Sequence, residues 1–416
     1  MAIKHVAIIG AGMPGLSTAW HLQQHGVQVT VLERRHVAAG SSWGNAGWLT
    51  PALTVPLPEP AVLKYGVRAV MSPSSPVYVP LRPEARLLRF VSGFLRHSTQ
   101  RRWAAGTRAY APVNRIALDA FDELTSAGVG ETRAADPFLA CFRTEEDRAL
   151  LVAELDAITE SGQDVKYTEL SGDEVRAAEP ALSSEIGAAV RLHGQRFLNP
   201  PAFMESLAAA VRDRGGEIVE GATARDVRDV DHEVRVDLDA GPSRGFDAVV
   251  LANGAWLGGL ARRFGVRRVV QAGRGYSFSV PADPLPGGPV YFPHERIACT
   301  PLETPTGPRL RVAGMMEFRP ADAPLDTRRV RAIVDAARPL LSGVDLDDRQ
   351  DEWVGSRPCT ADGLPLIGAT ASSRVFTAGG HGMWGVALGP VTGKLLAERI
   401  VSGTTPPELV PFDPLR

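Results

Sequence analysis

The stretch Gly10-Ala11-Gly12-Met13-Pro14-Gly15 decides the fold, because its G-x-G-x-x-G spacing stands between an apolar run and a helical pattern. Residues 6–9 are typical of a buried parallel strand, residues 13–24 of a helix, and the alternating valines of residues 27–31 of a second strand. The glycines permit a tight turn and close approach of the backbone to a pyrophosphate, which the helix N-terminus attracts. Glu33 follows the second strand at roughly the 20-residue spacing of a carboxylate that binds a dinucleotide ribose. The spacing alone also occurs in unrelated glycine-rich turns, but strand, helix, strand and acid together predict a dinucleotide-binding unit.

The composition indicates a soluble globular protein of two domains or one discontinuous pair. The chain has 416 residues, of which 44% are hydrophobic and 22% charged, and its net charge is −2, so we expect no nucleic-acid partner. Three cysteines without close spacing argue against a disulfide framework or a structural zinc site, and we expect no metal. Neither a secretory pattern nor an apolar run of membrane-spanning length is present, which predicts a cytoplasmic location.

Two further segments have an unusual composition. The proline-rich residues 51–83 predict an extended connection over the surface. Residues 82–108 carry seven arginines against the single acid Glu84. We favour a solvated helix face for them, and the alternative is a patch that rests on anionic lipid at the inner face of the membrane.

Segments along nearly the whole chain resemble motifs of the D-amino acid oxidase superfamily, which binds FAD and oxidises amines and amino acids. The similarity is greatest to its D-amino acid dehydrogenase branch. The segments are residues 10–33, 41–47, 251–256, 274–277, 312–317, 353–358, 362–368 and 379–385.

This resemblance implies an α/β fold with a doubly wound, Rossmann-like FAD-binding domain and a discontinuous substrate domain built on an antiparallel sheet. Short strands separated by Pro/Gly turns between residues 268 and 319 favour such a sheet. We predict that residues 1–60, 145–265 and 342–416 form the FAD-binding domain, and that residues 61–144 and 266–341 form the substrate-binding cap.

The resemblance also implies a set of cofactor-binding residues. They are Gly10, Gly12, Met13, Pro14, Gly15, Glu33, Arg34, Ser41, Ser42, Asn45, Ala46, Gly47, Trp48, Ala224, Ala252, Gly254, Trp256, Gly380, His381, Gly382, Met383 and Trp384. Within this set, the Asn45–Gly47 turn is expected beside the flavin ring, with an ordinary surface turn as the alternative. His381 is expected near the pyrimidine edge of the flavin, or else as a packed structural histidine.

Arg357 is our first choice for the substrate carboxylate, because a guanidinium offers a planar, bidentate fork. The alternative is a structural ion pair with Asp362. Tyr276 is predicted to add its hydroxyl to the same carboxylate, or else only to pack on the sheet. Glu317 and His294 are candidates for the substrate amine, although we favour a surface position for both.

The activity implied by the resemblance is FAD-dependent oxidative deamination of D-amino acids to 2-oxo acids and ammonia, by hydride transfer from Cα to flavin N5. The alternative substrates are glycine and N-methyl or cyclic amino acids, as for sarcosine, proline or hydroxyproline enzymes. A noncatalytic flavin-binding subunit is a further hypothesis, while a nicotinamide dehydrogenase has no use for the later motifs. No residue stands out as a catalytic base.

Two details refine the cofactor chemistry. Cys359 does not match cleanly the cysteine to which some relatives attach FAD, so we expect a small buried residue and noncovalent FAD. Sarcosine-oxidase relatives place a lysine above the flavin, and the corresponding strand, residues 310–314, contains none. This absence favours a quinone or another acceptor over oxygen.

Overall fold

The computed structural model describes residues 3–60, 75, 77–79, 84–304 and 307–416. Predictions for the proline-rich segment therefore lie partly outside the described residues. The helices are α1 (Met13–Gln24), α2 (Ala85–His97), α3 (Gln100–Arg115), α4 (Ala117–Ser126), α5 (Glu145–Glu160), α6 (Gly172–Ala178), α7 (Pro200–Asp213), α8 (Leu257–Ala261), α9 (Thr327–Ala337) and α10 (Gly389–Ser402).

The strands form two main sheets and two small ones. They are β1 (His5–Ile9), β2 (Gln28–Leu32), β3 (Trp48–Leu49), β4 (Val77–Tyr78), β5 (Arg133–Ala134), β6 (Phe138–Phe142), β7 (Tyr167–Ser171), β8 (Ala188–Leu192), β9 (Arg196–Phe197), β10 (Glu217–Val219), β11 (Ala224–Val230), β12 (Glu233–Leu238), β13 (Arg244–Phe246), β14 (Ala248–Leu251), β15 (Val270–Val280), β16 (Val290–Phe292), β17 (Ile297–Thr304), β18 (Gly307–Phe318), β19 (Gln350–Thr360), β20 (Leu366–Ala369) and β21 (Val375–Gly379).

The first main sheet has the order β10-β2-β1-β14-β21-β20 and is parallel except for β20. Strands β1 and β14 are apolar and buried along almost their whole length, because both faces of the sheet are covered. Val6 and Ile8 pack on the side of helices α1, α7 and α10, whereas Ala7 and Ile9 face the small sheet β11-β12-β13 and α8. The predicted Rossmann-like α/β unit is thus confirmed, with a small sheet and a short helix on its second face.

The second main sheet has the order β19-β15-β18-β17-β16-β6-β8-β7, and β4 pairs with β18. It is antiparallel except where β6 pairs with β16 and β4 with β18. Strand β15 lies between β18 and the edge strand β19, and all eleven of its residues are buried. On one face of β15, Tyr276 and Phe278 pack beneath α9, and on the other face Ser277 contacts the loop after β2. The predicted antiparallel sheet is therefore present and lies against the parallel one.

Sheet membership differs from the predicted domain boundaries at three strands. Strands β7, β8 and β19 belong to the large antiparallel sheet, although the prediction assigns residues 145–265 and 342–416 to the FAD-binding part. These strands find their partners far along the chain, which local sequence patterns do not reveal. The division into two domains stays a prediction.

Candidate cofactor and active site

A cleft of about 270 Å³ opens where the carboxyl ends of the parallel strands face β19 of the large sheet. Ligands of open α/β sheets bind at this edge, because the loops that leave adjacent strands diverge there. The predicted residues that line the cleft are Gly10, Gly12, Pro14, Glu33, Arg34, Ser41, Ser42, Asn45, Ala224, Ala252, Gly254, Trp256, Arg357, His381, Gly382 and Met383. Residues from one end of the chain to the other thus meet in one place.

The glycine-rich turn has the shape that a dinucleotide site requires. Gly10 adopts a φ of +111°, and a Cβ atom there would lie 2.6 Å from the carbonyl oxygen of Ala252. A Cβ atom on Gly15 would lie 2.1 Å from the Gly10 carbonyl oxygen, so both glycines permit close packing within the protein. At Gly12 the nearest atom is the Ser42 hydroxyl oxygen at 3.5 Å, which leaves room on the cleft side for a ligand. The arrangement fits a pyrophosphate at the start of α1.

Glu33 lies at the end of β2 with its carboxylate held by the neighbouring backbone. Its oxygens accept hydrogen bonds from the amides of Ala11 and Arg35, each at 3.0 Å. A carboxylate has further lone pairs, so Glu33 retains the capacity to accept from ribose hydroxyls in the cleft. Next to it, the Arg34 guanidinium lies 3.6 Å from the centre of the Trp256 ring. The position of these side chains fits the adenosine half of FAD.

The loop that follows β2 is fastened to the large sheet rather than free at the surface. The amide of Gly47 donates to the side-chain oxygen of Asn45, and the Thr300 hydroxyl donates to the carbonyl of Ala46, both at 2.8 Å. Trp48 contacts the same threonine, and Ser41 donates to the carbonyl of Ser356 at 2.6 Å. Of the Asn45–Trp48 segment, only Asn45 lines the cleft.

His381 is a packed histidine that also lines the cleft. Its side chain is buried, and Nε2 lies 3.0 Å from the hydroxyl oxygen of Thr392. Burial lowers the pKa of His381 to about 4, so the imidazole is neutral near neutral pH. Helix α10 begins a few residues later, and its N-terminal end points toward this loop with no acidic residue in its first turn. The neutral ring and the helix end suit a region where a ligand gains negative charge.

Arg357 reaches from β19 across β15 and lines the cleft. A Cβ atom on Gly275 would lie 2.2 Å from its terminal nitrogen, so only glycine leaves space for the guanidinium. Its Nη1 donates to the carbonyl of Met315 at 2.9 Å. Among the residues that the structure describes, no carboxylate pairs with Arg357, and Asp362 pairs instead with Arg416 at 3.1 Å. The alternative ion pair between Arg357 and Asp362 is therefore absent.

Tyr276 lies on the opposite face of the large sheet from Arg357. It is fully buried beneath α9 and donates to the Glu317 carboxylate at 2.6 Å. The expected surface position of Glu317 is wrong, because this carboxylate is completely buried and pairs with Arg274 at 3.5 Å and Arg319 at 3.1 Å. The expected surface position of His294 is confirmed, since its side chain is 68% exposed. A role for Tyr276 toward the substrate stays a prediction that its position does not favour.

Seven other predicted cofactor residues do not line the cleft. They are Met13, Gly15, Ala46, Gly47, Trp48, Gly380 and Trp384. Met13, for example, donates its amide to Ser42 at 3.1 Å, and Trp384 donates to the carbonyl of Val55 at 2.7 Å. Sequence reasoning missed lining residues such as Arg35, Thr223 and Pro358. Arg35 and Pro358 directly follow predicted residues, so the motifs themselves contained a signal.

The remaining sequence predictions concern cysteines, metals and membranes. Cys359 is buried against Gly273, as expected for a small packed residue, and burial raises the pKa of its thiol to about 12. Within the described ranges, no group of three or more potential metal ligands occurs. The same ranges contain no helix with the length and apolarity needed to cross a membrane.

Comparison with known proteins connects this geometry to a family. Residues 5–399 match the family described as FAD dependent oxidoreductase. A D-amino acid dehydrogenase of Methylobacterium radiotolerans is 30% identical over 97% of this chain and 96% of its own length. A D-amino acid dehydrogenase of Cereibacter sphaeroides is 27% identical over 96% of this chain and 92% of its own length. The crystal structure of glycine oxidase from Geobacillus kaustophilus has a TM-score of 0.73 at 24% identity, covers 99% of both chains and shows the same fold.

Proposed function

The chain belongs to the family of FAD-dependent oxidoreductases, and from this premise we propose that it oxidises D-amino acids to 2-oxo acids and ammonia. The observation that carries the proposal is the guanidinium of Arg357, which lines the cleft without a carboxylate partner among the described residues. The names of the relatives from Methylobacterium radiotolerans and Cereibacter sphaeroides support the D-amino acid class.

In this proposal, Arg357 binds and orients the substrate. Burial lowers the pKa of Arg357 from its usual value, which means that its charge lacks compensation in the protein. A substrate carboxylate supplies that compensation through two parallel hydrogen bonds and fixes the position of the neighbouring carbon. Bound FAD supplies the acceptor for the electron pair and hydrogen that leave this carbon, and water hydrolyses the resulting imine. The low pKa of His381 makes its imidazole a weak base, and this scheme assigns it no proton transfer.

An anaerobic titration of the purified holoenzyme tests the substrate class. We expect D-amino acids to bleach the flavin absorbance, and the matched L-enantiomers to leave it unchanged. Bleaching by glycine, sarcosine or cyclic amino acids in preference to D-amino acids would assign the chain to the alternative substrates. A flavin that no member of the panel bleaches would instead indicate a noncatalytic flavin-binding subunit.

We further propose that FAD is held noncovalently and that the electrons pass to a quinone. The buried thiol of Cys359 and the absence of a lysine from residues 310–314 support these two points. Acid precipitation should release all flavin into the supernatant as FAD, and flavin left in the pellet would contradict noncovalent binding. Turnover with a quinone analogue should exceed turnover with oxygen, and rapid peroxide formation in air would contradict the proposed acceptor.

A further inference from the structure

A connection from the large sheet crosses to the cofactor cleft. Residues 319–326, here called the strap, join β18 to α9. Within the strap, Asp322 contacts Arg34, which follows strand β2 of the parallel sheet. The Asp322 carboxylate accepts from Arg34 at 3.1 Å and from the indole N–H of Trp256 at 2.8 Å. Arg35 lies 3.8 Å away. One carboxylate thus joins three side chains that line the cleft beside Glu33.

The contacts of Asp322 fix the orientation of its partners. The Arg34 guanidinium lies over the Trp256 ring, and the carboxylate accepts from both the guanidinium and the indole N–H. Although burial opposes ionisation, the indole N–H and the guanidinium hold the pKa of Asp322 below its usual range. The stacked pair and the carboxylate therefore form one charged, hydrogen-bonded unit at the adenosine end of the cleft.

The strap is itself anchored in the large sheet. The buried guanidinium of Arg274 donates to the carbonyls of Ala323 at 2.7 Å and Pro324 at 2.9 Å. The Ser356 hydroxyl donates to the carbonyl of Ala321 at 2.8 Å. Because these donors lie on β19, at the edge of the large sheet, and on the adjacent strand β15, they define where Asp322 stands relative to the cleft.

We propose that Asp322 is a positioning residue that closes the adenosine end of the cofactor site by holding Arg34 and Trp256 in place, and that it thereby slows the dissociation of FAD. Asp322 is 57% exposed, so its ion pair with Arg34 alone contributes little to stability. Its effect arises because it restricts two side chains that would otherwise move away from the bound nucleotide. The proposal rests on the cofactor site and is independent of the substrate class.

The test compares FAD release from three variants of the holoenzyme, followed by the rise in flavin fluorescence after dilution. Asp322→Ala removes both contacts and should speed release about tenfold, which corresponds to roughly 1.4 kcal/mol. Asp322→Asn retains an oxygen that can accept from Trp256 and should speed release by about threefold. The matched control is Asp347→Ala. Asp347 is an exposed aspartate that pairs with Arg338 at 2.9 Å and does not line the cleft. We expect this control to release FAD at the parent rate.

A merely structural role is distinguished by one further readout, thermal unfolding. The melting temperature of the apoprotein should be the same in the parent and both Asp322 variants. Release of FAD from Asp322→Ala at the parent rate would overturn the proposal. Equal acceleration in Asp347→Ala would overturn it as well, because the loss of any surface ion pair would then have the same effect.

Discussion

Two arginines of the large sheet differ in burial and in the presence of a carboxylate partner: Arg274 is fully buried, whereas Arg357 is half-buried. Arg274 pairs with Glu317 within the protein and anchors the strap. Arg357 lies on the cleft side without such a partner among the described residues. An unpaired guanidinium in a half-buried position costs free energy, which a bound anion recovers. This contrast supports the proposal that Arg357 binds a ligand, whereas Arg274 has its partner within the protein.

Replacement of Arg357 should therefore reduce substrate binding more than folding. We expect Arg357→Leu to lower kcat/KM for amino acids by about 100- to 1000-fold, since the carboxylate loses a charged, bidentate partner. Arg357→Lys should recover only part of this loss, because a point charge lacks the planar fork. Steady-state kinetics with an amino acid and with the corresponding amine lacking the carboxylate provide the comparison. Equal losses on both substrates, or loss of bound flavin, would show that Arg357 is structural.

Helices α1 and α10 depend on glycine for their close approach. A Cβ atom on Gly393 would lie 2.5 Å from the Ser17 carbonyl carbon and 2.6 Å from the Thr18 nitrogen, both of the α1 backbone. We expect Gly393→Ala to push the helices apart and to lower the free energy of unfolding by about 1–3 kcal/mol. It should also lower FAD occupancy, because α1 carries the glycine-rich turn.

The matched control for Gly393 is Gly259 in helix α8, where an added Cβ meets nothing within 4 Å. Gly259→Ala should leave the melting temperature unchanged or raise it, since alanine favours helix. Thermal unfolding of the two holoproteins measures the difference. If the Gly393→Ala and Gly259→Ala variants had the same melting temperature, the contact between α1 and α10 would not depend on glycine.

Helix α1 also carries a buried histidine that makes stability depend on pH. Burial, and then the positive charge of Lys394, lower the pKa of His21 to about 3, whereas in the unfolded chain it is near 6.5. Between these values only the unfolded chain binds the proton. Neutral His21 therefore makes its full contribution to the free energy of unfolding above pH 6.5. This contribution declines as the pH falls toward 3, and at pH 4.5 it has fallen by roughly 2–3 kcal/mol.

Urea unfolding between pH 4.5 and 7.5 measures this dependence. His21→Gln should flatten the decline of the unfolding midpoint at acid pH, because the titrating group is gone. His232→Gln, at an exposed position in the turn between β11 and β12, is the control and should keep the parent profile. A His21→Gln profile as steep as that of the parent would rule out this origin of the acid sensitivity.

Sequence patterns predicted the elements whose signals are local and missed those set by distant pairing. The βαβ unit around residues 5–33 follows from glycine spacing and apolar runs, and the structure confirms it. The burial of Glu317 was missed because its partners Arg274 and Tyr276 come from another strand. Alternation along β15 predicts that Tyr276 and Gly275 lie on opposite faces. That Arg357 shares the face of Gly275 depends on the pairing of β15 with β19, which local patterns do not reveal. The contact between Asp322 and Arg34 was not predictable from the sequence, because it depends on how the two sheets pack together.

The whole molecule combines a nearly neutral net charge with one strongly basic helix surface. Leu88 and Leu95 stand one heptad apart on the outer side of α2 and are 60% and 43% exposed. Arg89 and Arg96 lie exposed next to them, and none of the ion pairs among the described residues involves either one. These exposed leucines beside arginines support the alternative to a solvated helix face, a patch that rests on anionic lipid. It is also compatible with the proposed quinone acceptor, which dissolves in lipid.

We therefore expect the holoenzyme to sediment with anionic phosphatidylglycerol vesicles at low salt and to be released from them at high salt. It should not bind neutral phosphatidylcholine vesicles. The double variant Leu88→Ser/Leu95→Ser should weaken sedimentation by roughly tenfold, because two apolar contacts with the lipid are lost. Leu150→Ser is the matched control, since this leucine is 71% exposed on the acidic helix α5. Because Leu150 lies among carboxylates that an anionic surface repels, its replacement should have no effect. If the parent and the double variant bound the vesicles equally, the arginine-rich segment would be interpreted as a solvated helix face.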